Sequence, residues 1–141
     1  AHAGEEGPTE YIWNSLKLLE VCRIDHGVAT VKDAELLKHI VAIQMPLTVC
    51  PCSNMCLKVF SRYEDMNAIS MLRSGVCVTI NSDDPAYFGG YCGKNYEVLK
   101  ACGMTKEDAI QLAKNSFVAS WLSDEEKSAW IAKIDALSSA Q

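Results

Sequence analysis

The chain has 141 residues, 49% hydrophobic and 22% charged, which is enough for one domain with a buried core and unlike disordered or fibrous compositions. A formal net charge of −5 and a sequence pI of about 5.1, with no basic stripe, weigh against a nucleic-acid partner, because a phosphate backbone needs concentrated Lys and Arg. No secretory leader pattern or membrane-spanning apolar run is visible, and the seven cysteines, an odd number placed in apolar runs, read as free thiols of a reducing compartment; a cytoplasmic location is the expectation, with no membrane partner.

The first residues, Ala1-His2-Ala3-Gly4-Glu5, lead directly into a tight small-residue turn without an initiator Met, so an amino-terminal portion is expected to be missing. Pro8-Thr9-Glu10 starts a predicted helix ending near Val21, with Ile12, Leu16 and Leu19 on its buried face. Cys22 and Ile24 belong to a predicted strand that stops at Asp25-His26-Gly27. Thr30 with Asp33 resembles a capping box, and Leu36, Leu37, Ile40 and Val41 supply the stripe of the next helix. A second strand is predicted from Leu47 to Cys50, broken by Pro51. Met66, Ile69 and Leu72 predict a helix from Glu64 to Ser74, closed by Gly75. The β-branched run from Val76 to Asn81 predicts a third strand. Three helices then follow, from Asn95 to Cys102, Thr105 to Trp121 and Ser123 to Leu137, with Thr105/Asp108 and Ser123/Glu126 as caps.

Strand ends recurring about every 25 to 30 residues between helices give the rhythm of βα units in a parallel sheet. With a strand ending at His2, the chain holds four strand ends, about half of an eight-stranded barrel of roughly 250 residues. The expected fold is therefore α/β, half of a (β/α)8 TIM-type barrel with extra terminal helices, and residues 1–141 form a single partial domain. A half barrel exposes sheet edges and a core face, so self-association is expected.

Under this reading His2, Glu5, His26, Asp83 and Asp84 all fall just after strands, where α/β folds keep their chemistry. Two adjacent carboxylates at a strand end repel each other and call for a cation or proton between them, although they could also form a turn or a helix cap. His2-Ala3-Gly4-Glu5 is either a solvated turn or a metal ligand beside an acid. His26 is either a proton shuttle or a polar strand terminus. Together they supply most of a metal-assisted hydrolysis site. His2 with Asp83 make two ligands, however, where catalytic zinc normally takes three from protein. His39, in a helix beside Lys38, reads as surface or packing. The small zinc deaminases with His-x-Glu and Pro-Cys-x-x-Cys signatures are nearly imitated by His2-Ala3-Gly4-Glu5 and Pro51-Cys52-Ser53-Asn54-Met55-Cys56. Each spacing is one residue too long, and the match is rejected.

His2-Ala3-Gly4-Glu5, Arg23-Ile24-Asp25-His26-Gly27, Leu47-Thr48-Val49-Cys50-Pro51 with Ser53-Asn54, and Ser82-Asp83-Asp84-Pro85 occur in the order and approximate spacing of the adenosine/adenine deaminase family. The chain resembles that family's carboxyl-terminal half over essentially its whole length. Ser82 before the paired Asp, and Gly89-Gly90-Tyr91 after them, are similar to the adenine deaminase branch. The resemblance implies a zinc-dependent aminohydrolase on a (β/α)8 barrel that converts adenine to hypoxanthine and ammonia in purine salvage. It implies His2 and Asp83 as zinc ligands, Glu5 as the acid that protonates purine N1, and His26 as the group that orients the attacking water and helps remove its proton. Asp84 would hydrogen-bond the base, and Gly4 would let the purine approach the backbone. The family's other two zinc ligands, a His-x-His pair, are absent from this sequence, and Cys52 and Cys56 stand where the family has less cysteine. A lone fragment is therefore expected to be inactive. An adenosine-acting enzyme and a non-catalytic partial barrel used as a binding module are the alternative readings.

Overall fold

A computed structural model describes residues 1–139. Within them four short strands, β1 (His2–Ala3), β2 (Ile24–His26), β3 (Leu47–Val49) and β4 (Val78–Ile80), form one sheet in the order β1-β2-β3-β4. Every pair is parallel, with His2 opposite Asp25, Ile24 opposite Leu47, and Leu47 opposite Val78. This is the predicted α/β architecture, in which each return to the sheet passes through a helix. The helices are α1 (Thr9–Lys17), α2 (Ala34–Ala42), α3 (Pro51–Cys56), α4 (Ala68–Arg73), α5 (Pro85–Phe88), α6 (Cys92–Ala101), α7 (Lys106–Val118) and α8 (Asp124–Ser139), with 3-10 turns at Val28–Lys32 and Tyr63–Asp65.

The register separates two faces. Ile24, Leu47 and Val78 form one cross-strand row, fully buried together with Ile12, Leu36, Ile40, Met71 and Leu112, so this row is the face covered by helices. The alternate row carries His2, Asp25, Thr48 and Thr79, and there the Thr48 hydroxyl donates to Asp25 Oδ1 at 2.8 Å. One sheet face is therefore oily and the other polar, as the period of two requires. Asn115 on α7 fastens that helix to the sheet by donating to the Val78 carbonyl at 2.9 Å. Phe117 stacks on Trp130 at 5.3 Å, seating α8 on α7. No described helix is long and apolar enough to cross a membrane.

Several boundaries depart from the sequence reading, each for a local reason. Helix α1 stops at Lys17 rather than near Val21, because Glu20 takes a left-handed conformation and the Val21 amide bonds back to Ser15; Leu19 is consequently exposed. The cap of α2 is Asp33, not Thr30: its carboxylate accepts from the Glu35 and Leu36 amides and from the Trp13 indole at 3.0 Å. Those bonds, led by the Leu36 amide and then the indole, hold Asp33 below the usual carboxylate range. Thr30 lies inside the first 3-10 turn. Pro51 does more than end a strand, since it occupies the first turn of α3, where its missing N–H costs nothing. Pro85 opens α5 in the same way. The predicted helix from Glu64 to Ser74 is divided, because Met66 is extended between the second 3-10 turn and α4. Helix α6 begins at Cys92 instead of Asn95. The Thr105/Asp108 capping box of α7 is present as expected, with both reciprocal bonds, and Ser123 and Glu126 exchange the same bonds ahead of α8.

Candidate functional site

The carboxyl ends of the strands deliver their next residues to one rim. His26 ends β2 with φ of 66° and Asp83 follows β4 with φ of 56°, both left-handed conformations that non-glycine residues adopt at a cost of about 1–3 kcal/mol. Strain of that kind persists where the surrounding structure demands a particular side-chain direction, and here the two side chains meet. His26, only 2% exposed, places Nε2 at 3.7 Å from Asp83 Oδ2 and Nδ1 at 3.3 Å from Glu5 Oε1. A chain of Glu5, His26 and Asp83 thus runs across the ends of β1, β2 and β4, although Glu5 and Asp83 are far apart in sequence.

The other expected residues are placed less uniformly. His2 lines the same cleft, a space of about 520 Å³ shared with Arg23, Asp25, His26, Cys50 and Asp83. Its side chain is largely exposed, and Nδ1 lies 3.6 Å from Asp25 Oδ2. The His2 and His26 rings are 5.2 Å apart. Glu5 and Gly4 border an adjoining recess of about 370 Å³ with Tyr11. Asp84 is exposed, precedes α5 and makes no side-chain capping bond; it is not among the residues lining either space. Nor do Ala86 to Tyr91 line them; Tyr87 and Tyr91 point to solvent. Gly4 has φ of +70°, and a Cβ there would lie 2.4 Å from Ile12 Cδ1. The left-handed backbone and the contact with Ile12 both disfavour a side chain at this position.

The cleft is acidic. Asp25, Asp83 and Glu5 surround Cys50, whose thiol is pushed up to about 12 by burial first and then by the charges of Asp83, Glu5 and Asp25. Burial disfavours any charge there, but the three carboxylates favour a cation over an anion. Donor atoms of His26, Cys50 and Asp83 all lie within 4.8 Å of one another, the group among the described residues that could hold a metal ion. His2 is outside this group, on the rim of the same cleft. Imidazole, thiol and carboxylate are a donor set that suits a borderline divalent ion such as zinc.

Two participants carried no signal of their own in the sequence. Cys50 read as one of several apolar cysteines, and Asn54 as a letter in a motif. Asn54 is fully buried on α3, its Nδ2 donates to Glu5 Oε1 at 3.0 Å, and the same nitrogen lies 3.3 Å from His26 Nδ1. A buried amide one turn after a strand-ending proline is the pattern that could have drawn attention to it.

Comparison with known proteins follows the same lines. A family model described as adenosine deaminase matches residues 1–137. The adenine deaminase of Hahella chejuensis is 54% identical over 136 residues, covering 96% of this chain and 41% of its own length. That of Acinetobacter baylyi is 48% identical over 136 residues, with 96% and 41% covered. Among solved structures, an adenine deaminase from Arthrobacter aurescens superposes with a TM-score of 0.95 at 41% identity, over 99% of this chain and 43% of that one. An amidohydrolase from Burkholderia ambifaria, with bound Zn, gives 0.86 at 26% identity, over 99% and 41%. The chain therefore spans about two fifths of the length of the relatives it matches.

Proposed function

Because the chain belongs to the adenosine deaminase family, we propose that it carries one side of the active site of a hydrolase that converts adenine and water to hypoxanthine and ammonia, as a partial barrel domain of a cytoplasmic purine-salvage enzyme. The observation that carries this reading is the Glu5–His26–Asp83 contact chain at the strand ends. Relatives named adenine deaminase at about half identity favour adenine over adenosine.

Attack of water at C6 of a purine pushes an electron pair onto N1, so an acid at N1 lowers the barrier. Glu5, with Oε1 held against His26 and Asn54, supplies that proton at the edge of the cleft. His26 and Asp83, facing each other at 3.7 Å, orient the water and receive its proton, and the amine leaves as ammonia once protonated. His2 and Asp83, which line the same cleft, would hold a zinc ion together with two further ligands from outside this sequence, and the ion would supply Lewis-acid activation of the water. Asp84 bonds the base, which requires its exposed carboxylate to turn toward the cleft on substrate binding. Gly4 contributes backbone at the purine edge. The substrate is a small purine, and any self-association uses the sheet edges.

The test is turnover of adenine and adenosine by the full-length, metal-loaded protein, with metal content measured in parallel on Asp83→Ala. Adenine turnover well above adenosine turnover is expected, with metal and activity both lost in the variant. Faster turnover of adenosine would reassign the substrate. An Asp83→Ala protein with full metal and unchanged rate would overturn the site.

A further inference from the structure

We infer that Asn95 is a positioning residue for the segment that carries Asp84, holding the far end of that segment against the start of α3 and thereby fixing how the two groups assigned to the base, Glu5 and Asp84, stand to each other. The inference rests on the proposed deaminase reading for its consequence and on geometry for its content.

The first turn of α3 lacks an ordinary cap. Cys50 at the N-cap position makes no side-chain capping bond, and Pro51 has no N–H to offer, so the Cys52 amide is the first donor there without an intrahelical partner. It donates instead to Asn95 Oδ1 at 2.8 Å, across 43 positions of sequence. Asn95 lies on α6 and is fully buried. With its oxygen committed to Cys52, its Nδ2 faces the backbone just ahead of α6, donating to the Tyr91 carbonyl at 3.1 Å with the Gly90 carbonyl 3.4 Å away. The partners fix the orientation of the amide, because the N–H on one side requires an acceptor and the carbonyls on the other require a donor. One side chain thus pins the backbone at Gly90 and Tyr91 to the helix that bears Asn54, whose own amide donates to Glu5 Oε1 at 3.0 Å.

The other end of the pinned segment carries Asp84. The Asp84 carbonyl accepts from the Tyr87 and Phe88 amides at 3.1 and 2.9 Å, and the Gly89 amide bonds back to the Pro85 carbonyl at 3.1 Å, so residues 84–89 form one hydrogen-bonded unit. That unit lies between two left-handed residues, Asp83 with φ of 56° and Gly89 with φ of 73°, and Asp84, Ala86 and Tyr87 on it are exposed. The bonds of Asn95 come immediately after Gly89. A shift of Gly90 and Tyr91 is therefore passed through the unit to Asp84, and with the unit held, the Asp84 carboxylate reaches the cleft by turning its side chain on a seated backbone. Asparagine is what the position demands. Aspartate keeps an acceptor for Cys52 but sets a carboxylate against carbonyl oxygens, and alanine leaves the buried Cys52 N–H unmet.

The experiment uses the full-length, metal-loaded protein and measures adenine kinetics and amide hydrogen exchange for Asn95→Asp and Gly90→Ala, each made in the parent and in an Asp84→Ala background. Gly90→Ala leaves Asn95 intact and displaces the segment from the other side, since a Cβ there would lie 2.7 Å from Lys94 Cγ and 2.8 Å from Lys94 Cβ. Each change is expected to raise KM for adenine on the order of 10-fold, as for the weakening of a charge-assisted hydrogen bond to the base, with kcat and metal content near those of the parent. In the Asp84→Ala background the same changes should leave KM almost unaltered, because the group they position is gone. Exchange over residues 84–91 should be faster in both variants, and in the parent the Cys52 amide should exchange slowly despite its place in a first helical turn. A parental KM, an equal rise of KM in both backgrounds, or unchanged exchange over 84–91 would each overturn the inference. Should Asn95→Asp fail to fold, rapid exchange of the Cys52 amide in the parent, or a parental KM in Gly90→Ala, would still overturn it. If the parent turns over no purine, the deaminase reading fails, and the exchange results still decide whether Asn95 holds the segment.

Discussion

Replacing Gly4 with alanine asks whether that glycine serves the fold or a ligand. The added Cβ would meet Ile12 Cδ1 at 2.4 Å and Cγ1 at 2.8 Å, and it would sit on a backbone with φ of +70°. Ile12 has no exposed surface to retreat into. A side chain in the left-handed region costs about 1–2 kcal/mol, and overpacking a close-packed site adds about 1–3 kcal/mol, so Gly4→Ala should lose about 2–5 kcal/mol in urea unfolding with little change in slope. Ile12→Val removes the nearest atom. Alone it should cost about 0.5–1.5 kcal/mol, but in the Gly4→Ala background it should cost less or stabilise, and the shortfall measures the coupling. If Gly4→Ala unfolds within about 0.5 kcal/mol of the parent, or if the two changes simply add, the Ile12 clash is not what requires glycine. A stable Gly4→Ala protein with impaired purine turnover would instead assign the position to substrate approach.

Part of the acid sensitivity should be traceable to the Arg73–Asp108 pair. Asp108 is held below the usual carboxylate range, first by its hydrogen bond from Arg73 and then by the Thr105 amide; its stabilisation is therefore present above the ordinary value of 3.8 and lost as pH falls through the lower, folded one. Asp108→Asn should melt earlier than the parent near neutrality, with the gap closing as pH falls below 3.8 and through the lower, folded value; a gap independent of pH would refute the assignment. The Cys50 thiol, pushed up to about 12, should resist alkylation at about pH 8, while the exposed Cys22 and Cys56 are labelled first. Peptide mass spectrometry showing Cys50 labelled before them would contradict the acidic, buried cleft.

Much of this arrangement was legible because it is written in local chemistry. The β-branched run that leads to Asp83, the short strand around Ile24 that stops at His26, and Thr105 or Ser123 three residues ahead of an acid can be read within a few positions. What escaped was set by distant partners. Asp33 outcompetes Thr30 as a cap partly because Trp13, twenty residues away, bonds its second oxygen. Leu19 fits the apolar stripe of α1, yet the helix has already ended. Pro51 was read as a strand break, although proline at a first helical position starts α3, as Pro85 starts α5. The buried amides Asn54, Asn95 and Asn115 look like ordinary polar residues in sequence, because nothing in their neighbours reveals that Glu5, Cys52 and Val78 will meet them. Asp84 shows the converse: its sequence context suggested a partner that the fold does not supply within this chain.

The all-parallel order of the sheet also governs how the chain reaches its structure. No strand can pair with a neighbour formed by a tight turn: Leu47 must find Val78, 31 positions later, and Ile24 must find Leu47 across the whole of α2. Loop-closure entropy is therefore spent before any ladder bond repays it. Folding should be slow, with helical hairpins such as α7 and α8 appearing ahead of the sheet. The strand ends bearing His26 and Asp83 would then be among the last regions to be ordered, and a chaperone would find its longest opportunity while the ends of β2 and β4 are still apart.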